Sequence, residues 1–522
     1  MNYLIKRANK RISLGNAAAL ISVASLLGAV LGIVRTRLIS KYFPGAESAA
    51  YFAAFEIPDF IFFTLASGAL GVAFLPVLSD RLESGNKKSA WELSSSLLNL
   101  IAIVSLCASI VMIIFARQLL GIFHLTPATM DKAVNIMRLV SLNPLIFTIS
   151  SVMTTMQQAF GRFFFFAIAP LFYNVSIIAS LFIFRGKLGI VGIGFGVLVG
   201  SFLQLIVSFA GMLHMGFKYR PQINFKNPYF WQVLKAIPAR SIDQGIDYIN
   251  SITETRFASA LGEKFISFYK YAFILHTVPI NLIGIAISTA AFPRFTERIS
   301  QGRPDLFRKE FLQVLRAMIW ISLPVVVISY FARAHLVRLI FFNTDVREVA
   351  TIFGFLTTAI FFRTVYSIIS RYFYAQKDTK TPLFVSLFAI ALNIFLAYNL
   401  SKQDRYGVEG LAIAQSFVAA AEVLVLLFVM VIKDKKLFTK DFWQGILKIV
   451  SVTGFSVVVA FLSTMALPLT TSDKVPTIIF KLILIGFSTI TVHIILSSLY
   501  GLEEARPIID KAKQIIFKPV KL

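Results

Sequence analysis

The stretch GALGVAFLPVLSDR, residues 68–81, returns in altered form as IAISTAAFPRFTER, residues 285–298. Each copy has small residues, then a bulky apolar residue, a proline, a hydroxyl residue, an acid and an arginine. The two prolines, Pro76 and Pro293, lie far apart in the chain, and each is expected to stop a helix. A phrase that recurs at such a distance predicts a chain built from two copies of one unit.

Three further pairs of landmarks support this duplication, because the members of each pair have almost the same separation as the two prolines. They are TRLIS (36–40) with TRFAS (255–259), GIVGIGFG (189–196) with GVEGLAIA (407–414), and Asn174 with Asn393. Chance is a poor explanation for four pairs at almost one offset. Internal symmetry of this kind marks many membrane transporters.

The composition is that of a membrane protein. Hydrophobic residues make up 57% of the 522 residues, charged residues make up only 15%, and the mean hydropathy is +0.76. Apolar runs of roughly 18–25 residues, long enough for a helix to cross a bilayer, recur from end to end. They predict about fourteen transmembrane helices, near residues 15–38, 51–77, 91–116, 133–157, 164–184, 189–214, 231–260, 265–292, 314–340, 348–374, 381–400, 408–432, 444–468 and 475–500.

The spans and the repeat together predict the fold class, an all-α polytopic membrane protein. Because six spans return the chain to its starting side, two copies of six would run parallel, related by an axis near the membrane normal. We expect an N-terminal lobe at residues 1–220 and a C-terminal lobe at 221–440, followed by two additional helices and a basic tail at 441–522. Two such lobes could enclose a cleft that opens to one side at a time.

The net charge of +25 lies largely in the connections between spans. Alternate connections are more basic, so the positive-inside rule places both termini in the cytoplasm. No RRM, zinc-finger or helix-turn-helix pattern accompanies the charge, and nucleic acid is therefore not an expected partner. The sequence also has no Walker loop, no HExxH and no GxSxG motif with its partners, so we predict that the chain is not an enzyme.

Several phrases along the chain match a known family. They are LGIVRTRLISKYFPG (31–45), FAAFEIPDFIF (52–62), ASGALGVAFLPVLSD (66–80), GIAISTAAFPRFTE (284–297) and FYAQKDTKTPLFVSLFAIALNIF (373–395). Together with two six-helix lobes and two extra helices, they resemble the MurJ (MviN) lipid II flippases of the multidrug/oligosaccharidyl-lipid/polysaccharide exporter superfamily. The resemblance extends over most of the chain.

This resemblance implies a flippase of the bacterial cytoplasmic (inner) membrane. Its cargo would be lipid II, a peptidoglycan precursor with an undecaprenyl tail, a pyrophosphate and a sugar–peptide head, which would pass from the cytoplasmic to the outer leaflet by alternating access. No cofactor is implied, and transport would be coupled to sodium, to protons or to the membrane potential. Membrane lipids and cell-wall synthesis proteins are the expected partners, and a monomer is the expected state.

Four arginines are the candidates for binding the pyrophosphate, which must be paired with cations inside a membrane. Arg35 matches the arginine of the family's first-helix motif, and Arg37 and Arg256 are repeat partners. Arg363 lies deep in the tenth span, where an ionisable residue suggests a function. The alternatives are an interfacial position for Arg35 and a structural pair with an acid for Arg363.

Oxygen ligands on the seventh and eleventh spans suggest a site for a coupling cation. Asp247 and Glu254 are separated by two helical turns and share one helix face. The resemblance implicates an acid at the position of Glu254, and also Asn393, in binding sodium, a hard cation that takes oxygen ligands. The alternative is a polar stripe in which Glu254 or Asp247 pairs with Arg256 or Arg363.

The chain also departs from the family pattern. The resemblance implies further arginines at three places, where this chain has Ala29, Phe62 or Phe63, and Ile274. His276 lies near Ile274 and is a candidate substitute for the arginine expected there. Two alternatives therefore stay open at this point. One is an exporter of another polyprenyl-linked glycan or of a small cation, and the other is a non-transporting relative that scaffolds envelope assembly.

Overall fold

The structure, a computed structural model, describes residues 14–67, 74–341, 344–507 and 509–510, and within these only the backbone of 14–19, 66–67, 238–244 and 246. All regular secondary structure in these residues is helical, which confirms the predicted class. The α-helices are α1 (Leu14–Tyr42), α2 (Ala46–Phe62), α3 (Leu75–Glu83), α4 (Lys87–Ile114), α5 (Ala116–Leu120), α6 (Pro127–Val140), α7 (Asn143–Ala159), α8 (Phe164–Ile183), α9 (Arg185–Leu188), α10 (Val191–Met212), α11 (Pro228–Leu261), α12 (Glu263–Pro279), α13 (Ala286–Ser300), α14 (Pro304–Phe331), α15 (Arg333–Ile340), α16 (Val346–Ala375), α17 (Lys380–Leu400), α18 (Glu409–Lys433), α19 (Lys440–Ala466) and α20 (Val475–Leu499). Two π-helical segments, Phe63–Ser67 and Ile280–Ile285, continue α2 and α12, and a 3-10 helix spans Glu503–Ala505.

Within the described residues, thirteen helical segments are long and apolar enough to cross a membrane. They correspond to every predicted span except the seventh. The seventh coincides with α11, a helix of 34 residues that includes side chains outside the description. On α17, the large side chains of Phe384, Phe388 and Phe395 are exposed along one face, as expected where a helix meets lipid.

The helix bounds repeat at the spacing of the sequence landmarks. The starts of α2 and α12 are separated by the same offset as Pro76 and Pro293, and α4 and α14 correspond at both ends with that offset. The starts of the two π-helical segments have this separation as well. The duplication predicted from the sequence is therefore present in the secondary structure, including its irregular turns.

The two prolines of the repeated phrase behave differently. Pro76 lies in the first turn of α3, where the missing N–H has no helical partner to lose. Pro293 lies inside α13, which continues to Ser300. The expectation that each proline stops a helix is therefore wrong, because membrane helices accept an interior proline when neighbouring groups satisfy the freed backbone.

A pair of repeated glycines marks a close approach between helices. Gly192 lies in the first turn of α10 and Gly410 in the first turn of α18. A Cβ atom on Gly192 would lie 2.6 Å from Phe184 Cβ, and one on Gly410 would lie 2.2 Å from the Leu400 carbonyl oxygen. In both copies, the glycine thus packs against the end of the preceding span at a distance that excludes a larger residue.

Contacts between residues divide the described chain into two units. Unit 1 contains the described residues up to Ser267 together with Phe341 and Thr344, and unit 2 contains the others. Helix α11 belongs to unit 1 because it packs against α2 and the π-helical segment Phe63–Ser67. The lobe boundaries after residues 220 and 440 come from the repeat rather than from contacts, and they stay a prediction.

The two helices that follow the repeat, α19 and α20, pack against each other and against α14 within unit 2. Two buried polar contacts connect them: Trp320 Nε1 on α14 donates to Ser497 Oγ at 2.8 Å, and Ser456 Oγ lies 3.1 Å from His493 Nδ1. Hydrogen bonds between helices stabilise their packing in hydrocarbon, where burial of apolar surface provides little driving force for helix association. The additional helices are therefore an integral part of unit 2.

A charged corner joins α16 to α17 outside the apolar spans. The Asp378 carboxylate accepts hydrogen bonds from the Thr381 backbone N–H at 3.0 Å and from the Thr381 hydroxyl at 2.7 Å, and it pairs with Lys433 at the end of α18. Burial by itself would raise the pKa of Asp378, but the hydrogen bonds from Lys433 and Thr381 lower it to about 2. The ionised carboxylate is therefore the form that stabilises this corner.

Removing the charge of this corner should change how stability depends on pH. Because the pKa of Asp378 falls from 3.8 to about 2 on folding, its stabilisation is complete above pH 3.8 and is lost as the pH falls through about 2. Since Lys433 is half-exposed, we expect no more than about 1 kcal/mol. Thermal unfolding in detergent should show Asp378→Asn to be less stable at neutral pH and equal to the unchanged protein in strong acid. A difference that is the same at both pH values would contradict the role of the carboxylate.

Adding one carbon at the repeated glycine should destabilise the protein. We expect Gly410→Ala to lower the free energy of unfolding by about 1–3 kcal/mol, the usual effect of overpacking, and thus to lower Tm. The matched control is Gly454→Ala in α19, where an added Cβ meets nothing within 4 Å and alanine favours the helix. Equal Tm values for the two variants would show that the close approach at Gly410 does not exist.

Candidate functional site

The first candidate cation, Arg35, is half-buried on α1 in unit 1. It interacts electrostatically with Tyr51 and Asp59 on α2 and with Tyr173 on α8. Its Nε is buried without a hydrogen-bond partner among the described residues. A guanidinium presents five N–H donors in a fixed fork, which suits it to phosphate oxygens. Arg35 stays a predicted binding residue.

The repeat partners Arg37 and Arg256 differ in their surroundings. Arg37 is half-buried on α1, next to the buried Thr36, whose hydroxyl donates to the Gly32 carbonyl at 3.0 Å. Arg256 is exposed on α11 and forms no ion pair among the residues that the structure describes. The alternative in which Arg256 pairs with Asp247 or Glu254 is therefore not realised.

An acid outside the predicted site joins two helices of unit 1. Glu56 on α2 is 6% exposed, and its Oε1 accepts hydrogen bonds from Thr255 Oγ1 at 3.0 Å and from Ser251 Oγ at 3.3 Å. Both hydroxyls belong to α11. The signal in the sequence is an acid inside the apolar phrase FAAFEIPDFIF, because an ionisable residue at membrane depth requires partners.

The predicted cation ligands are distributed over both units. On α11 in unit 1, Glu254 is 3% exposed and accepts a hydrogen bond from Asn250 Nδ2 at 3.1 Å, whereas Asp247 is exposed. Asn393 is buried on α17 in unit 2. In the described part of the chain, no three His, Cys, Asp or Glu side chains form a group that could hold a metal ion. A sodium site that combines Glu254 with Asn393 stays a prediction.

In unit 2, Arg363 on α16 belongs to a buried polar network. Its Nη1 donates to Glu422 Oε2 on α18 at 2.8 Å. The second carboxylate oxygen, Glu422 Oε1, accepts from Ser386 Oγ on α17 at 2.7 Å, and Ser386 Oγ lies 3.0 Å from the Tyr366 hydroxyl. The side chain of Glu422 is 2% exposed and that of Arg363 is 27% exposed. The cation is therefore the accessible end of the pair.

The ion pair realises the structural alternative for Arg363, a pair with an acid, and this acid is Glu422. Glu422 is the one charged residue in the apolar phrase AAAEVLVLL, residues 419–427. This isolation marks it in the sequence, since an ionisable residue at membrane depth requires a partner. Arg363 stays a predicted binding residue, now with an internal counter-ion.

His276, the suggested substitute cation, lies beside this network on α12. It is 3% exposed, and its ring centre is 5.2 Å from that of Phe273. It interacts electrostatically with Arg363. Two cations in one buried place repel each other, so the arrangement favours a neutral packing role for His276 over a second phosphate-binding charge.

Comparison with known sequences identifies relatives of the chain. The family model described as "Lipid II flippase MurJ" matches residues 39–486. A Borreliella burgdorferi protein named "Probable lipid II flippase MurJ" is 24% identical over 425 residues, which are 80% of this chain and 83% of the relative. A Thermotoga maritima protein with the same name is 25% identical over 428 residues, which are 80% of this chain and 86% of the relative.

Solved structures agree with these relatives. One described as "Lipid II flippase MurJ, inward closed conformation" matches with a TM-score of 0.77 and 26% identity, over 92% of this chain and 98% of that chain. An inward-facing multidrug resistance MATE family transporter of the MOP superfamily matches with a TM-score of 0.67 and 16% identity, over 80% of this chain and 99% of that chain, and this match shows likeness of fold alone.

The relatives and the first of these structures are named as lipid II flippases, which confirms the prediction that the chain is not an enzyme. Since the family match covers residues 39–486, the chain is a multi-pass bacterial membrane protein that belongs to the lipid II flippase MurJ family.

Proposed function

We propose that this chain is a lipid II flippase, which moves the headgroup of the lipid-linked peptidoglycan precursor from the cytoplasmic to the outer leaflet by alternating access. The observation that carries this proposal is the family match along residues 39–486. The chemistry of the chain fits an anionic cargo, because each unit holds an arginine within an apolar span, Arg35 in unit 1 and Arg363 in unit 2.

The pyrophosphate of lipid II is the part of the cargo that most needs the protein. An anion of this kind enters hydrocarbon only when cations accompany it. Arginine suits the task because its planar fork can make two parallel hydrogen bonds to phosphate oxygens. In this proposal Arg35 and Arg363 bind the pyrophosphate, and Arg37 and Arg256 add further contacts to the headgroup.

Net movement in one direction requires a source of free energy. We assign the coupling cation, sodium, to the oxygen ligands of Asp247, Glu254 and Asn393, and we keep protons and the membrane potential as the other drivers of the same cycle. The chemistry of these residues supports this assignment, because carboxylate and amide oxygens are ligands that a hard cation takes. The cycle would not require an organic cofactor.

The flippase would reside in the bacterial cytoplasmic (inner) membrane with both termini in the cytoplasm. This orientation is supported by the basic residues of alternate connections, such as those between spans two and three and after span twelve. Its partners would be membrane lipids and cell-wall synthesis proteins, and it would act as a monomer.

Depleting the protein in its own bacterium should reduce the lipid II exposed on the outer leaflet. The measurement is the accessibility of lipid II to a reagent that cannot cross the membrane, in intact cells or spheroplasts. Unchanged exposure after depletion would remove the flippase proposal and would favour a scaffold that does not transport.

The arginines can be tested in the same assay. Replacing Arg35 and Arg363 together by alanine should lower lipid II exposure by about 100-fold or more, since each charged hydrogen-bonding group contributes about 1.5–3 kcal/mol. The matched control replaces two exposed arginines of the connections, Arg303 and Arg405, by alanine and should retain activity. Full exposure in the first variant, present at normal level in the membrane, would refute the phosphate-binding role.

Sodium coupling predicts a defect of a different kind at Glu254. In proteoliposomes, flipping should rise with sodium concentration and then saturate, and Glu254→Gln should need about 10-fold more sodium, because a charged ligand becomes neutral. The control Asp404→Asn, in an exposed connection, should keep the original sodium dependence. A rate that does not depend on sodium in the unchanged protein would exclude this ion.

A further inference from the structure

The connection between the two copies of the repeat is held against α4 by side chains of that helix. Asn99 Nδ2 donates to the carbonyl oxygens of Arg220 at 2.8 Å and of Gln222 at 3.0 Å. The backbone N–H of Arg220 donates to Ser95 Oγ at 3.1 Å. These bonds reach the main chain of a stretch, residues 216–224, that has no regular secondary structure. Helix α4 therefore binds the connection as a polypeptide, largely through its backbone.

The side chains that hold the connection form one stripe on α4. They are Glu92, Ser95, Ser96 and Asn99, whose spacing places them on a single helix face. Ser96 Oγ accepts from the backbone N–H of Asn224 at 3.0 Å, and Glu92 accepts from the side-chain amide of the same asparagine. In the first copy of the repeat, this face is thus a surface for an irregular peptide segment.

The second copy presents the same helix face to a cavity. At the offset that relates α4 to α14, the corresponding positions are Lys309, Leu312, Gln313 and Arg316. The connection after the second copy is shorter, because α18 ends at Lys433 and α19 begins at Lys440. All four positions line a cavity of about 530 Å³, which is within the range of about 300–1,000 Å³ that is usual for ligand pockets.

The charges of this cavity are only partly balanced within unit 2. Two of its arginines each lie in ion pairs with two carboxylates, Arg308 with Asp305 and Asp434, and Arg316 with Asp441 and Glu504. Lys309 and Lys436 also line the cavity, and both are exposed. Neither lysine side chain forms an ion pair or a hydrogen bond within the described residues. Glu503 is the acid of the lining that has no ion pair in this part of the chain, so the unpaired charge is positive on balance.

The sign of the charge on the helix face is reversed between the two copies. In the first copy, Glu92 occupies the position of Lys309, and the connection beside it contains Lys218, Arg220 and Lys226. In the second copy the base lies on the helix, so the complementary segment is acidic. The chain's own residues 511–522 contain four lysines and no acid, and they are therefore not complementary.

We propose that the cavity beside α14 binds an extended segment of a partner polypeptide that carries acidic side chains. The carboxylates of this segment pair with Lys309 and Lys436. Its main chain bonds to Gln313, which has the position that Ser96 has on α4. Its apolar side chains rest on Leu312, which is buried at the base of the cavity.

The partner reaches this surface from the side that the positive-inside rule assigns to the cytoplasm. It is therefore a cytoplasmic protein or the cytoplasmic part of a membrane protein. The inference goes beyond the proposed flippase function, because it concerns a partner and uses neither Arg35 nor Arg363.

The first test measures the binding of two short labelled peptides to the purified full-length protein in a neutral detergent, by fluorescence anisotropy at low salt. One peptide alternates glutamate with serine, and the other has lysine in place of glutamate. We expect the acidic peptide to bind about tenfold more tightly than the basic one, since two unpaired lysines meet carboxylates. Tighter binding of the basic peptide would overturn the inference.

Reversing the two charges tests whether the cavity is the place of binding. Lys309→Glu together with Lys436→Glu should weaken binding of the acidic peptide by about tenfold and strengthen binding of the basic one. The matched control, Lys187→Glu together with Arg405→Glu, makes the same change of net charge in two other exposed connections and should keep the original preference. An equal loss in both variants would show attraction to net charge alone and would contradict the proposal.

A second measurement does not depend on charge. In a Cys107→Ser background, a bulky thiol reagent attached at Gln313→Cys should block the acidic peptide, whereas the same reagent at Lys187→Cys should not. Full binding to the protein labelled at position 313 would place the peptide outside the cavity and refute the proposal.

An anionic lipid headgroup is the competing occupant of the cavity. Native mass spectrometry can count the phosphatidylglycerol molecules retained by the unchanged protein and by the variant with Lys309→Glu and Lys436→Glu. We expect equal numbers, and the loss of one lipid in the variant would identify a lipid site and overturn the inference. Lipid II takes no part in these measurements, so a negative result would leave the flippase proposal intact.

Discussion

A charge buried between helices has to be compensated inside the protein, and this constraint arranges the polar residues of both units. Glu56 obtains two hydroxyls from α11, and Glu422 obtains a guanidinium and a hydroxyl from α16 and α17. Hydrocarbon provides no substitute for these partners. Each acid therefore specifies which helices must be neighbours, so the same residues that could serve function also determine packing.

Arg363 and the more enclosed Glu422 form an ion pair in unit 2. A lone guanidinium at this depth would be costly, and a pair exposed equally at both ends would present no preference for an anion. Because Arg363 is more exposed than Glu422, the accessible side of this pair is cationic. In unit 1, the buried Nε of Arg35 has no hydrogen-bond partner among the described residues.

Close helix contact complements this polar pairing. The glycines that the sequence repeats, Gly192 and Gly410, lie where the end of the preceding span leaves no room for a Cβ atom. Their recurrence at one offset is therefore a packing requirement that is met twice, and it accompanies helix bounds that recur in the same way. The repeated prolines are not equivalent in this way: Pro76 lies in the first turn of a helix and Pro293 lies inside one, because neighbouring groups and not the proline decide whether a helix continues.

Hydropathy, the internal repeat and the family phrases were sufficient to determine that this is a duplicated helical membrane protein of the flippase family, because these properties are recorded in local composition and spacing. They also selected Arg35 and Arg363, since an arginine inside an apolar run is conspicuous by itself. Which acid pairs with Arg363, and which of the two is accessible, was decided only by the tertiary structure. The reason is that the partners lie 59 residues apart on different helices, and a single sequence carries no record of how those helices are rotated against each other.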